Sequence, residues 1–393
     1  MAQTKVKSEL IDGGLGTDWQ STIQTSNFTA AAGKGYFVNT TSGEITVTLP
    51  AGVVGEEIIL QDYAGTFDTN NIIIASNGSE KIQGRTSDAK CIIESATINL
   101  VYQDATKGWT ADNIVDNPPT RTVNFLVVAG GGGVGRTDSY YGGGGGAGGF
   151  RSSTDGRGGG QSSDTALQLD QSTNYTVTVG AGGAEATSNS GSAAKGTTGS
   201  DSVFATITSK GGGGAGGNDA TGDGKDGGSG GGAGGNDQDN TGGHAVTSPV
   251  VHGYDGGDDV GTGNSVGGAG GGGAGSVGAN VAGTAGANGG AAKAATITGS
   301  TVYYAAGGGG KRGWTGSHGS AGSNAVGGAN SGDGGNGANY GNNAANGQSG
   351  KVIVKYGNSY TLTIGAGLTS STATSGSYKI TSFTAGTGTI SIN

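Results

Sequence analysis

Histidine and cysteine are the residues of this sequence that would most readily serve a metal site or a catalyst. His244 and His252 lie eight residues apart, without a His-x-His pair or a cysteine close by. Because structural zinc sites combine closely spaced histidine and cysteine ligands, we expect both histidines to lie at the surface or to pack in loops. Cys91 is the one cysteine, which excludes an intramolecular disulfide. The sequence therefore predicts no metal centre and no cofactor.

Aspartates are frequent in the second half of the chain, and carboxylates are the ligands that calcium prefers. A calcium loop of the EF-hand type needs acids at alternate positions followed by a glutamate, and the sequence has no such run. We interpret these aspartates as solvated turn residues. They are Asp219, Asp223, Asp226, Asp237, Asp239, Asp255, Asp258 and Asp259.

Motifs of common enzyme classes are missing. The sequence contains no GxSxG, no GxxxxGK[ST] and no HExxH. Matches to GxGxxG inside glycine runs carry no meaning without a following helix. Paired carboxylates for sugar cleavage stay open as an alternative, although the long β-helix period that would house them is missing. We do not expect an enzyme.

Composition separates this chain from most soluble domains. Of 393 residues, 92 are glycine and only 12% are charged, against about 25% charged residues in an ordinary domain. The net charge is −9, without a cluster of lysine and arginine, so we expect no binding to nucleic acid. No stretch approaches the roughly 20 apolar residues of a membrane span, which predicts no membrane insertion. The opening MAQTKVKSEL lacks an apolar run, which predicts synthesis in a cytoplasm without a signal peptide.

Glycine and proline content divide the chain into five segments. Glycine is concentrated between Gly130 and Gly350, with 12 of the 92 before that region and 6 after it. Pro118 and Pro119 both disfavour a continuous regular element and mark a linker. The segments are 1–25, a lead-in for attachment; 26–116, a small β module; 117–121, the linker; 122–357, a glycine-rich region with flanking strands; and 358–393, a β cap.

The small β module is predicted from alternating and apolar runs. EITVTLP (44–50) alternates strictly between apolar and polar residues, as a half-buried strand does. Spacings of 10 to 15 residues between the runs favour hairpin connections. The further runs are EIILQDY (57–63), NIIIAS (71–76), KCIIES (90–95) and TINLVYQD (97–104).

The C-terminal segment repeats an earlier piece of the chain. YTVTVGAG at 175–182 recurs as YTLTIGAG at 360–367, an offset of 185. The repeat predicts that residues 358–393 copy one β unit and form a cap.

The glycine tracts favour an ordered structure over a flexible linker. They are short and are separated by apolar strand-like runs, which a spacer would not need. The polyproline-II helix has three residues per turn and no internal hydrogen bonds, and only glycine lets such helices approach closely enough to pair. We predict an all-β chain with a glycine-rich polyproline-II helix bundle, elongated, fibrous, trimeric and essentially without α-helix. Another glycine-rich β architecture is the alternative.

At this point the sequence resembles a known group of proteins. VNFLVVAGGGG, YTVTVGAGG, SVFATITSKGGGGAGG and KVIVKYG resemble the glycine-rich domain of bacteriophage tail fibres and tip adhesins, in which connecting loops of a polyproline-II bundle contact the host. KGYFVNTTSGEITVTLPAGVVGEEIILQDYAGTFDTNN resembles β modules of tail-fibre and baseplate proteins from phages of marine cyanobacteria.

The resemblance implies a receptor-binding tail fibre of the virion. Its implied partners are two further copies in a homotrimer, other phage tail or baseplate proteins through the N-terminal segment, and a host cell-surface glycan or outer-membrane protein. A structural virion fibre or baseplate component is the first alternative. An ice-binding or extracellular structural glycine-rich protein is the second, although ice binding requires a flat face of repeated small residues.

Aromatic and cationic residues between the glycine tracts are the candidate receptor contacts, because loops on a rigid frame carry specificity. Tyrosine and tryptophan offer rigid contact area with a polar group. The alternative is that they pack the ends of the bundle or the seam of a trimer. The candidates are Tyr140, Tyr141, Tyr254, Tyr303, Tyr304, Trp314, Tyr340, Arg151, Lys311 and Arg312.

Overall fold

The computed structural model describes most of the chain as two compact units, residues 1–120 and residues 121–393. All the described secondary structure is β-strand, which confirms the all-β prediction. Residues 1–16, and with them most of the predicted lead-in, lie outside the described residues, as do Pro118 and Pro119. The described residues are 17–117, 120–135, 142–171, 173–186, 194–217, 222–235, 239–261, 266–312, 317–337 and 346–393.

Unit 1 has ten described strands in two five-stranded sheets. The strands are β1 (Asp18–Trp19), β2 (Phe28–Thr29), β3 (Lys34–Val38), β4 (Ile45–Thr48), β5 (Glu57–Asp62), β6 (Ile72–Ala75), β7 (Asp88–Cys91), β8 (Thr97–Asp104), β9 (Gly108–Thr110) and β10 (Val115–Asn117). The sheets have the orders β1-β3-β5-β8-β9 and β10-β7-β6-β4-β2.

The chain in unit 1 alternates between the two sheets through its first six strands. β1, β3 and β5 are parallel neighbours in one sheet, and β2, β4 and β6 are parallel neighbours in the other. The predicted hairpins are therefore wrong for these strands. A connection between runs spaced 10 to 15 residues apart can also cross the roughly 10 Å between stacked sheets. The spacing of the runs therefore does not distinguish a hairpin from a crossing between sheets. Antiparallel pairing of consecutive strands occurs between β6 and β7 and between β8 and β9.

Apolar side chains from both sheets form one core in unit 1. Ile45, Val47 and Leu49 are all buried, as the alternation of EITVTLP predicts. The run KCIIES was predicted as a strand, but β7 ends at the buried Cys91. The next two residues, Ile92 and Ile93, are exposed.

Unit 2 combines a large sheet with a bundle of glycine tracts. Ten strands form the sheet, with the continuous order β12-β11-β19-β22-β14-β15-β16, while β13 pairs with β11, and β20 and β21 both pair with β22. β17 and β18 form a separate hairpin. The strands are β11 (Thr120–Val128), β12 (Phe150–Ser152), β13 (Leu167–Asp170), β14 (Tyr175–Thr178), β15 (Ser202–Phe204), β16 (Ile207–Ser209), β17 (Lys293–Ala295), β18 (Val302–Tyr304), β19 (Lys351–Gly357), β20 (Leu362–Ile364), β21 (Leu368–Ser375) and β22 (Tyr378–Ile392).

β11 is buried on both of its faces, which explains its continuous apolar run NFLVV. Phe125 and Val127 belong to a core between strands of the sheet. Leu126 and Val128 belong to a second core, where the opposite face packs against Phe150 at the end of a glycine tract. Strands covered on both faces lose the alternating pattern. One face of the sheet therefore packs against the end of the bundle.

The C-terminal repeat lies within this sheet. β14, from the first copy of the repeat, and β20, from the second, both pair antiparallel with the long strand β22. Residues 358–393, predicted to form a cap, thus supply strands of the same sheet as β11 and β19.

The glycine tracts bond to one another through their main chains with a period of three residues. The tract 142–149 shows it most clearly, because successive amides donate to three different tracts in turn. Three residues per turn is the period of a polyproline-II helix, and it supports the bundle of such helices, which stays a prediction. The donors are Gly143, Gly146 and Gly149 toward residues 210–217, Gly144 and Ala147 toward residues 266–275, and Gly145 and Gly148 toward residues 332–337.

Tract 142–149 is at the centre of the bundle. Its carbonyls accept hydrogen bonds from three further tracts, residues 129–135, 228–235 and 305–312, so that it has six neighbours. A Cβ atom on Gly144 would overlap the carbonyl oxygen of Gly308. Main chain therefore packs directly on main chain here.

Candidate functional site

The described residues that flank seven segments between successive tracts lie at one end of the bundle. We call this the connection end, and we call the opposite end, which packs on the large sheet, the sheet end. The segments are residues 136–141, 187–193, 218–221, 236–238, 262–265, 313–316 and 338–345. Their own structure lies outside the described residues, and only the residues on either side of them are considered below.

The flanking residues hydrogen-bond across tracts, which places the segments together. The amide of Gly135 donates to the carbonyl of Gly143 over 3.3 Å, and the amide of Gly143 donates to Gly216 over 3.0 Å. The amide of Lys311 donates to the carbonyl of Gly142 over 2.8 Å. These bonds join the borders of four segments: 136–141, 218–221, 313–316 and, through Gly337, 338–345, because the amide of Gly337 donates to Gly309.

Side chains extend the same surface to the remaining segments. The ammonium of Lys311 forms a 2.9 Å ion pair with Glu185, and the amide of Glu185 donates to Asn346 Oδ1 over 2.7 Å. Asn240 is buried and donates from its side chain to the carbonyl of Gly234, and a Cβ atom on Gly261 would overlap the side chain of Val266. All seven segments thus start and finish at one end of the bundle.

Lys311 and Arg312 lie beside His318 at the connection end. The amide of Arg312 donates to His318 Nδ1 over 3.3 Å. Burial, and after it the cations of Arg312 and Lys311, lower the pKa of His318. The side chain of Lys311 is 13% exposed and ion-paired with Glu185, and Arg312 is half-buried, so the role of both as receptor contacts stays a prediction. The same surface contains Glu185, His318 and Asn346, and no sequence pattern indicated that these residues lie there.

Four of the aromatic candidates lie in the connecting segments and thus outside the described residues. They are Tyr140, Tyr141, Trp314 and Tyr340. The described residues that flank them are part of the connection end, and the role of these four as receptor contacts stays a prediction.

The three other tyrosine candidates lie toward the sheet end. Tyr303 and Tyr304 are in β18, and Tyr304 is buried in the core between the bundle and the sheet. Burial raises the pKa of the Tyr304 hydroxyl. Tyr254 is half-buried in a tract, and its amide donates to the carbonyl of Gly273. The predicted contacts therefore do not share one surface, and Tyr304 packs the bundle end, as the alternative reading of the sequence anticipated.

Arg151 is a structural residue, contrary to its prediction as a receptor contact. It lies in β12 with 9% of its surface exposed, and its guanidinium binds both oxygens of Asp164 over 2.7 and 3.0 Å. Arg157 reaches the same carboxylate over 3.4 Å. A buried bidentate pair of this kind is fixed in place, and its guanidinium is out of reach of a receptor.

The two histidines lie in different environments. His244 is exposed, and its Nδ1 is 3.5 Å from Asp255 Oδ2. His252 is 1% exposed at the sheet end, and its Nδ1 accepts a hydrogen bond from the amide of Lys210 over 3.0 Å. Burial, and after it the nearby Arg151 cation, lower the pKa of His252 to about 4. His252 is therefore neutral at pH 7 and carries its proton on Nε2.

Four of the aspartates accept hydrogen bonds from main-chain amides of one outer tract of the bundle. Four amides in residues 240–246 donate to aspartate carboxylates of the two flanking tracts. The two aspartates that each flanking tract contributes are three residues apart, which is the same period as in the bundle interior. The pairs are Thr241 with Asp223, His244 with Asp226, Gly242 with Asp258 and Ala245 with Asp255. Asp219 and Asp237 lie outside the described residues.

Among the described residues, no group of three or more His, Cys, Asp or Glu side chains is arranged to hold a metal ion. The same part of the chain has no helix that would cross a bilayer.

Comparison with known families gives one match. A model of a family described as a glycine-rich domain matches residues 106–357, which runs from the end of unit 1 through β19. The matched range contains all seven connecting segments and ends before the C-terminal repeat. A comparison with curated proteins found no match.

Proposed function

Since the chain belongs to the glycine-rich domain family, we propose that it is a phage tail-fibre adhesin that binds the host cell surface through the connection end of its bundle. The observation that carries the proposal is that the described residues flanking seven connecting segments lie together at one end of a hydrogen-bonded frame. The resemblance of the glycine tracts and their flanking strands to tail-fibre adhesins supplies the biological setting.

The frame has the physical properties that a recognition surface requires. Each segment is held at both ends by main-chain hydrogen bonds between tracts, so its ordering cost is partly met before a ligand binds. The sheet end is covered by apolar contacts with β11 and β19, which leaves the connection end to face a receptor. Loops of this kind vary in sequence without disturbing the frame beneath them.

The residues at the connection end suit a glycan or an outer-membrane protein. Tyr140, Tyr141, Trp314 and Tyr340 supply flat aromatic faces for sugar rings or apolar side chains, and Lys311 and Arg312 supply cations for anionic groups. Attachment of several copies to other tail or baseplate proteins through the N-terminal segment would present them together to one cell and raise the avidity.

Binding of the fluorescently labelled full chain to candidate cyanobacterial hosts, with unrelated bacteria in parallel, tests the proposal. We expect selective labelling, which Trp314→Ala and the pair Tyr140→Ala and Tyr141→Ala should reduce at least about tenfold, the loss of a binding hot spot. Tyr378→Ala is the matched control, because Tyr378 is 45% exposed on the sheet and should leave binding unchanged.

Two outcomes would overturn the proposal. The first is an absence of labelling on every candidate host by a chain whose unfolding transition shows that it is folded, which would favour the structural fibre or baseplate role. The second is equal loss of binding in the Tyr378→Ala control and in the connection-end variants, which would place recognition elsewhere.

A further inference from the structure

β21 is a long exposed strand at an edge of the large sheet in unit 2. It pairs with β22 along one side, with a bulge between Thr369 and Ser370. Seven of its eight residues are exposed, and Leu368 is half-buried. In an antiparallel edge strand, alternate N–H and C=O groups point away from the neighbour, so a row of main-chain donors and acceptors faces outward along β21.

Every other described strand at the end of a sheet is short. These strands have two to four residues, against eight in β21. Short edges are one of the means by which proteins prevent pairing between molecules. The short edge strands are β1, β2, β9, β10, β12, β13, β16, β17, β18 and β20.

β21 also lacks the chemical features that protect an edge. Its sequence LTSSTATS contains no charged residue and no proline, whereas protected edges carry lysine, proline or an inward charge. Three of its residues are threonine, which has a high strand propensity. Among the strands that the structure describes, β21 is therefore an exception in having a long and uncharged edge.

We propose that β21 is an assembly edge that pairs with β21 of a second copy of this chain. An uncharged strand is complementary to itself, because antiparallel self-pairing brings no like charges opposite one another. Threonine and serine hydroxyls from the two copies would meet as cross-strand pairs, which favour pairing. Eight residues extend over roughly 27 Å, enough for a continuous ladder between two copies.

Self-pairing of one edge makes a two-fold interface. The same surface is used by both copies, so the contact closes after two. The proposal thus predicts a dimer through β21 and differs from the homotrimer that the resemblance implies. It rests on the edge alone and is independent of receptor binding.

Sedimentation velocity of the full chain over a wide concentration range tests the assembly. We expect a dimer, which Thr372→Lys converts to a monomer because like charges would face each other across the pair. Ser320→Lys is the control, since Ser320 is an exposed serine on an outer tract, and it should remain dimeric. A wild-type chain that is monomeric at every concentration, or an assembly that Thr372→Lys leaves unchanged, would overturn the proposal.

Single cysteines locate the contact. Ser371→Cys, Thr372→Cys and Ala373→Cys are introduced one at a time, and the native Cys91 is buried and should not react. We expect mild oxidation to link two chains at one or two adjacent positions of β21, and not in Ser320→Cys. In the Thr372→Lys variant, Thr372 loses the 2.8 Å hydrogen bond of its hydroxyl to Thr381, so thermal unfolding should stay cooperative with a loss of about 1 kcal/mol, the usual net value of one hydrogen bond. A cooperative transition separates loss of pairing from loss of folding. Crosslinking that is equal at all positions, including Ser320→Cys, would contradict a specific edge pair.

Discussion

Unit 1 and the glycine bundle both have buried interiors, but different atoms fill them. In unit 1 the interior consists of apolar side chains such as Ile58, Leu60 and Trp109, which are fully buried between two sheets. In the bundle the interior of tract 142–149 consists of main chain, with six neighbouring tracts hydrogen-bonded around it. Side-chain volume stabilises the first interior, and the absence of side chains permits the second.

The difference reverses the usual rule for substitutions. In a side-chain core, removing atoms leaves a cavity and costs stability. In the bundle, adding atoms separates tracts whose amides and carbonyls then lose their partners, and each buried unpaired group costs about 1–3 kcal/mol. One chain therefore contains both cases, and each can serve as the control for the other.

The largest effect is expected at the centre of the bundle. Gly144→Val should abolish folding of unit 2, a loss on the order of 4 kcal/mol or more, because its side chain would overlap the carbonyl of Gly308. Calorimetry should show the transition of unit 2 lost and that of unit 1 retained. Gly283→Ala is the control, since a Cβ atom there meets nothing within 4 Å; equal losses in both variants would contradict a main-chain core.

Leu60→Ala is the converse change in unit 1. Leu60 is fully buried, so truncation should lower the free energy of unfolding of this unit by about 2–5 kcal/mol. The calorimetric transition of unit 1 would measure it. Val53→Ala, at a side chain 63% exposed, should change little. A loss confined to unit 2 would contradict the division into two units.

His252 should make the sheet end of the bundle sensitive to acid. Between pH 6.5 and about 4, the unfolded chain binds a proton that the folded chain excludes. Stability is therefore complete above pH 6.5, falls by about 3 kcal/mol as the pH is lowered to 4, and is not reduced further by this group below that pH.

Urea unfolding of unit 2 at a series of pH values measures this effect. His252→Gln should flatten the profile between pH 4 and 6.5, whereas His244→Gln should preserve it, because His244 is exposed. A slope that survives His252→Gln would assign the acid sensitivity to another group.

The smallest effect on stability is expected at the outer tract of residues 240–246, whose amides donate to aspartates. Asp223→Ala removes the acceptor for the amide of Thr241 and should cost about 1 kcal/mol, the usual net value of one hydrogen bond. Asp223→Asn keeps an acceptor oxygen and should be nearly neutral. A loss of equal size in both variants, read from thermal unfolding of unit 2, would show that charge rather than the hydrogen bond is what matters.

Part of this structure was readable from the sequence. The alternation of EITVTLP predicted the buried positions of β4, and the glycine tracts bounded by apolar runs predicted an ordered region. Which strands pair with one another in unit 1 could not be predicted, because the spacing of the apolar runs does not distinguish a hairpin from a crossing between sheets. The spacing of three between Asp223 and Asp226, repeated in Asp255 and Asp258, was a signal for outer tracts that was interpreted as solvated turns.

The candidate site was readable only in outline. Tyr140, Trp314 and Lys311 lie near glycine tracts in the sequence, but their grouping depends on which tract ends meet. Arg151 and Tyr304 lie in similar sequence contexts and occupy the other end of the bundle. The direction of each tract decides this, and that direction is set by long-range pairing that no local pattern contains.

The main-chain hydrogen bonding of the bundle bears on how the protein would look in solution. Its tracts contribute neither helix nor a sheet ladder, so their far-ultraviolet circular dichroism should resemble that of an unfolded polypeptide, in which polyproline-II conformers abound. The amide of Gly144, buried and bonded to the carbonyl of Ala269, should nevertheless exchange its hydrogen with solvent only when the whole unit opens. A spectrum suggesting disorder would then accompany some of the slowest-exchanging amides in the chain.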